Sequence, residues 1–124
     1  MTVELNHTIV RATDKHTSAA RLAELLGLEV QPQTGPFVPV ATGNGVALDF
    51  ADAGDTPIAP QHYAFLVADD EFDAIFARVR DAGLTYYADP GHRRPGEINH
   101  MHGGRGIYWS DPDGHNMEIL TRAG

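Results

Sequence analysis

The chain states one pattern twice, and a duplication of this kind leaves few folds open to it. The first copy opens with Leu-Asn-His-Thr-Ile-Val (Leu5 to Val10), passes through a helix, and ends with Val-Ala-Leu-Asp-Phe (Val46 to Phe50). The second opens with Gln-His-Tyr-Ala-Phe-Leu-Val (Gln61 to Val67) and ends with Asn-Met-Glu-Ile-Leu-Thr (Asn116 to Thr121). His7 then matches His62, and Asp49 matches Glu118. The separations are 49 − 7 = 42 and 118 − 62 = 56 residues, and the longer loop after Ala88 absorbs the difference of 14. Histidines and carboxylates at equivalent places in a repeated unit point to a metal between the halves.

Each copy reads as βαβββ. Leu5, His7 and Ile9 alternate with Asn6, Thr8 and Val10, a strand with two differently loaded faces. Asp14 caps a helix with the apolar stripe Leu22, Leu25 and Leu26, and Gly27 ends it. Short strands are expected at Leu28–Val30 and Phe37–Ala41 among Pro32, Pro36 and Pro39, and Gly43-Asn44-Gly45 turns the chain into the next strand. In the second copy Asp69 or Asp70 caps a helix whose stripe is Phe72, Ile75, Phe76, Val79 and Ala82, closed by Gly83. A strand over Leu84–Ala88 precedes a proline- and glycine-rich loop. A hairpin then joins Gly106–Ser110 to Asn116–Thr121 across Asp111-Pro112-Asp113-Gly114. We therefore expect one domain over 1–124, with module 1 at about 1–51, a linker at 52–60 and module 2 at about 61–124.

Composition removes several alternatives. With no cysteine among 124 residues, disulfides and thiolate metal sites are excluded, whereas seven histidines remain. A formal charge of −8 opposes nucleic-acid binding, since phosphate neutralisation needs a basic face. No apolar run is long enough for a membrane span, and no basic-then-apolar export signal opens the sequence. A cytoplasmic protein acting on a small molecule is the expectation.

Alternation also sorts the candidate ligands. His62, Ala64 and Leu66 share one strand face, and Tyr63, Phe65 and Val67 pack beneath the helix on the other. Glu118 lies opposite Met117 and Ile119, and His7 lies with Leu5 and Ile9. Neutral imidazoles with a carboxylate suit Fe(II), Mn(II), Zn(II) or Ni(II) with coordination positions left open. A strand histidine on its own is more often a hydrogen-bonded structural residue, and a strand glutamate is usually solvated. Three such residues on matching faces of a repeat favour the metal.

The duplication, the Leu-Asn-His opening, the His-Tyr-Ala-Phe strand and the ending Gly-Ile-Tyr-Trp-Ser-Asp-Pro-Asp-Gly-His-Asn-Met-Glu-Ile-Leu-Thr together resemble the vicinal oxygen chelate superfamily. That group includes glyoxalase I, extradiol ring-cleaving dioxygenases, fosfomycin-resistance thiol transferases, methylmalonyl-CoA epimerase and bleomycin-binding proteins. The resemblance covers nearly the whole chain. It implies an α+β fold in which curved mixed sheets form an incomplete barrel, with His7, His62 and Glu118 on the metal-ligand positions. It also implies a homodimer whose sites are shared, His7 of one chain joining His62 and Glu118 of the other.

Within that group the residues lean toward a ring-cleaving dioxygenase. Tyr108, ten residues before Glu118, matches a tyrosine that binds and acidifies catechol in those enzymes. His100 and His102 are candidate acids or bases beside it. Against this, a further dioxygenase histidine on an earlier strand has no counterpart here, and most of those enzymes have four modules. A glyoxalase-like lyase or isomerase is the alternative: its fourth ligand is a glutamate at the place of Asp49, here one methylene shorter, so Asp49 is expected to line the substrate pocket. The thiol transferases carry a threonine where this chain has Ile9, and serines where it has Met101-His102-Gly103-Gly104. A non-catalytic drug- or metabolite-binding resistance protein would not need all three ligands. Arg105 is a candidate contact for an anionic substrate at the cleft mouth, and Arg93 and Arg94 lie in a loop placed to act as a lid.

Overall fold

The computed structural model describes residues 2–124, and the chain divides into two units, 1–59 and 60–124. The element order is β1 (His7–Ala12), α1 (Lys15–Leu26), β2 (Val38–Ala41), β3 (Ala47–Asp52), then β4 (His62–Leu66), α2 (Asp69–Asp81), β5 (Gly106–Ser110) and β6 (Asn116–Leu120).

In the first unit β3 lies centrally, parallel to β1 and antiparallel to β2. β1 exposes His7, Ile9 and Arg11 and buries Val10 and Ala12, the period-two signature of a sheet covered on one side only. The covered side packs Val10, Val38, Val40, Leu48 and Phe50 with Ala19, Leu22, Ala23 and Leu25 of α1. Asp14 Oδ1 accepts from the backbone N–H groups of His16 (3.0 Å) and Thr17 (3.2 Å), as its capping position predicts. Those hydrogen bonds hold its carboxyl below the usual aspartate range. Gly27 ends the helix in the left-handed region at φ 71°.

The second unit repeats the arrangement, with β6 central, parallel to β4 and antiparallel to β5. Trp109, Ile107, Met117 and Ile119 form its covered side, and Phe72, Ile75 and Val79 are the buried stripe of α2. The helix starts one residue earlier than the aspartates suggest. Ala68 is its N-cap, and its N–H is taken by the Glu71 carboxylate at 2.9 Å. Asp69, Asp70 and Glu71 therefore occupy the first turn, where the helix dipole favours negative charge.

The second strand of each copy is shorter than expected. Leu28–Val30 contributes one bridge, Val30 to Val40, and Leu84–Ala88 pairs through Tyr87, once to Tyr108 and once to Pro95. Proline accounts for both: Pro32 and Pro36, and Pro90 and Pro95, withhold the N–H groups that a continued ladder needs. The sheets are nonetheless open three-stranded mixed sheets in an α+β chain, and each bridge sits at the same outer edge.

Candidate metal centre

Strand register decides which side chains share a face. In the second unit Ala64, Glu118 and Tyr108 lie opposite one another across β4, β6 and β5, and His62, Asn116 and Ser110 form the next row. Tyr87 continues the row of Tyr108 through its bridge. All of these project from the side that α2 leaves uncovered. The covered side carries their alternates: Tyr63, Met117, Ile119, Ile107 and Trp109.

On that uncovered side His62 Nε2 stands 2.8 Å from Glu118 Oε1. Glu118 is 5% exposed, while His62 is exposed. A carboxylate only accepts, so the imidazole donates between them. The spacing fits a metal-ligand pair: two donor atoms about 2.1 Å from one ion and at right angles are about 3.0 Å apart. Tyr108 lies beside both, its ring 5.8 Å from that of His62. Burial pushes the Tyr108 phenol up to about 12, and the charge and hydrogen bonding of Glu118 reinforce the shift. In this state Tyr108 is a neutral donor, whereas the resemblance implies a tyrosine that acidifies substrate.

The first unit offers a partial copy. Asp49 pairs with Ile9 and Pro39, as Glu118 pairs with Ala64 and Tyr108, and His7 precedes Ile9 as His62 precedes Ala64. The two histidine–carboxylate pairs are thus equivalent by register as well as by sequence. His7 Nδ1 is 2.8 Å from Asn6 Oδ1, an acceptor that fixes the hydrogen on Nδ1 and leaves Nε2 with its lone pair outward. Arg11, unremarked in the sequence, shares the face of His7 and Ile9. Among the described residues no group of three histidine, aspartate or glutamate side chains is placed to hold a metal.

Three expected site residues lie elsewhere. Arg105 alternates with Gly106, which directs it to the helix side, away from Glu118. There its guanidinium bonds Asp73 Oδ1 at 2.7 Å and the Asp69 carbonyl at 3.0 Å and lies 4.4 Å over the Phe72 ring. The residue expected to contact substrate here clamps the start of β5 to α2, where Asp73 and Asp69 pair with it. His100 precedes and His102 lies within the 3-10 turn Met101–Gly103 at the Leu120 end of β6, whereas His62 is level with Asn116 at the other end, roughly 13 Å of strand away. His100 Nδ1 faces the Gly104 carbonyl at 3.2 Å, and His102, at φ 56°, lies against Gly124.

Sequence reading passed over His92. Its ring is stacked on Tyr87 at 4.1 Å and 1°, and its Nε2 is 2.8 Å from Asn116 Oδ1. Asn116 was findable, since it stands two residues before Glu118 and so shares its face. His92, in an irregular loop, carried no periodic signal.

The chain is similar to proteins of several kinds. The solved structure of Oxidase ChaP-H2 is 67% identical, covers 99% of this chain and 96% of its own, and superposes with a TM-score of 0.97. Glutathione transferase FosA of Serratia marcescens is 29% identical over 96% of this chain and 81% of its own. Metallothiol transferase FosB of Shouchella clausii (strain KSM-K16) is 37% identical over 60 residues, 48% of this chain and 37% of its own. Such relatives fit a metal-dependent enzyme. The model of the Glyoxalase/Bleomycin resistance protein/Dioxygenase superfamily matches residues 4–119, and the chain belongs to that superfamily, the vicinal oxygen chelate group.

Proposed function

We propose that this chain is a divalent-metal-dependent enzyme that uses oxygen on a small molecule bearing two adjacent oxygens, with ring-cleaving dioxygenase chemistry as the leading reaction. The observation that carries this is the His62–Glu118 pair with Tyr108 beside it on one uncovered sheet face. The 67% identity to a protein named as an oxidase supports oxygen as co-substrate over a purely isomerising reaction.

His62 and Glu118 would hold the ion together with His7, whose Nδ1 is taken up by Asn6 and whose Nε2 would be the ligating atom. Such an ion polarises the two substrate oxygens and favours their anionic form. The chain supplies the rest. Glu118, buried at the centre of its sheet, is positioned by paired strands on both sides. Tyr108 donates a hydrogen bond toward negative charge without losing its proton. Ala64, opposite Glu118, puts only a methyl group beside the carboxylate. Leu66, on the same face and 66% exposed, offers an apolar surface against which an aromatic ring displaces water.

A glyoxalase-like lyase or isomerase is the second reading, favoured by one observation: Asp49 occupies the register position of Glu118 and could line the substrate site from the first module. The named transferase relatives add glutathione conjugation as an activity to assay.

Protein purified without chelator is expected to contain divalent metal. With Fe(II) and catechol it should consume oxygen, and His62→Ala should abolish both metal retention and uptake. Hemithioacetal turnover with Ni(II) or Zn(II) in the absence of oxygen would replace this reading with the lyase. A metal-free protein that binds aromatic ligands tightly would replace it with a resistance-type binder.

A further inference from the structure

The loop between Pro90 and Glu97 is held in place rather than left free. Asp89 Oδ1 accepts from the backbone N–H groups of Arg93 at 2.9 Å and Arg94 at 2.8 Å. Ala88 N–H reaches the Arg94 carbonyl, and Gly96 N–H reaches the Tyr86 carbonyl at 2.8 Å. These contacts deliver His92 to the uncovered face of the second sheet, because both of its anchors stand there. Tyr87 is the neighbour of Tyr108, and Asn116 is the neighbour of His62.

The hydrogen bonds also fix its tautomer. Asn116 Nδ2 donates to the Pro90 carbonyl at 3.1 Å, so the amide turns Oδ1 toward His92. Oδ1 only accepts, so His92 Nε2 carries the hydrogen and Nδ1 of the neutral ring carries the lone pair. The ring makes no second hydrogen bond among the described residues. A half-buried imidazole, held in plane by Tyr87 and in rotation by Asn116, thus keeps one acceptor unused beside the His62–Glu118 pair.

We propose that His92 is a substrate-contacting residue of this site, its Nδ1 accepting a hydrogen bond from a hydroxyl of the bound molecule. This rests on the reading above that the His62–Glu118 face binds an oxygenated small molecule through a metal. It narrows the substrate class. His92 is an acceptor, so the favoured ligand keeps one hydroxyl hydrogen when bound, as a catechol monoanion or an α-hydroxy ketone does and an α-dicarbonyl does not.

Zn(II) is redox-inert, so the full-length zinc-loaded protein can be titrated with 4-nitrocatechol without turnover, and visible absorption reports binding and ionisation together. His92→Phe keeps a flat ring for Tyr87 and removes the acceptor. It is expected to weaken 4-nitrocatechol about tenfold, the scale of one hydrogen bond. Zinc affinity should stay within about twofold, since no proposed ligand is touched. His92→Gln, which restores an acceptor, should recover part of the loss. Wild-type affinity and an unchanged spectrum in His92→Phe would overturn the proposal while leaving the metal-site reading intact. Failure of the zinc-loaded wild type to bind 4-nitrocatechol would overturn the catechol reading, and this one with it. Should His92→Phe not fold, Asn116→Ala carries the same test: releasing the ring should cost several-fold in affinity, and no change would overturn the proposal.

Discussion

Tyr108 shows how a single side chain reports its surroundings. It is 4% exposed, lies against a buried carboxylate, and has its phenol raised to about 12. The folded chain therefore holds this proton more tightly than the unfolded chain, whose tyrosines lose theirs near pH 10. The resulting stabilisation is complete below about pH 10 and is lost as pH rises toward 12, because only the unfolded state gains by releasing the proton. A rise from 10 to about 12 corresponds to at most about 3 kcal/mol. Tyr63, raised by burial and by the charge of Asp111, acts in the same direction. Urea unfolding between pH 9 and 12 should show a declining midpoint, and Tyr108→Phe should flatten that decline. An equally steep decline in the variant would remove Tyr108 as its source. At neutral pH the same phenol stays protonated, so in the function proposed above it would serve as a donor and not as a base.

At the scale of elements, two glycines separate conformational from steric requirement. Gly83 ends α2 at φ 73°, with its own N–H on the Arg80 carbonyl and that of Leu84 on the Val79 carbonyl at 3.2 Å. A Cβ there would meet nothing within 4 Å, so Gly83→Ala costs only the left-handed backbone, about 1 kcal/mol. At Gly106, where φ is not positive, a Cβ would fall 2.9 Å from both side-chain polar atoms of Asn99. Asn99 cannot step aside without losing its bonds to the Ala88 carbonyl (2.8 Å) and the Met101 N–H (3.2 Å), which tie the long loop back on itself beside β5. Gly106→Ala should therefore cost about 2 kcal/mol or more. Denaturant midpoints of the two variants, measured side by side, test the ordering. The Gly83 stop was legible from sequence, because a glycine just past an apolar helical stripe has a local cause. The Gly106–Asn99 contact was not, since it joins residues that no periodicity connects. The same division runs through the candidate site. His62, Glu118 and Tyr108 could be assigned to one face because strand alternation is local. Arg105 could not, because its partners Asp69 and Asp73 lie 36 and 32 residues away in sequence. His92 escaped for the same reason: its place is set by Tyr87, Asn116 and the Asp89 turn, which only the fold brings together.

At the scale of the molecule, the question is what lies over the uncovered faces of the two sheets. Ile9 is 39% exposed and Leu66 is 66% exposed, and both stand on the faces that carry the candidate ligands. In the shared-site form of the proposal above, a second copy of the chain would cover that apolar surface and pair His7 of one protomer with His62 and Glu118 of its partner. The two ways of completing the ligand set, within a chain or across a dimer, differ in a countable way. His7→Ala and His62→Ala each remove one ligand from every site, so each alone should lose metal. When the variants are unfolded together and refolded as an equal mixture, half the dimers combine one chain of each kind. If sites are shared, such a heterodimer puts both defects into one site and leaves the other with a full set, restoring about a quarter of the wild-type metal content and activity. If each chain completes its own site, every site in the mixture still lacks a ligand and nothing returns. Metal content per chain after refolding, measured beside the separately refolded variants, decides between the two.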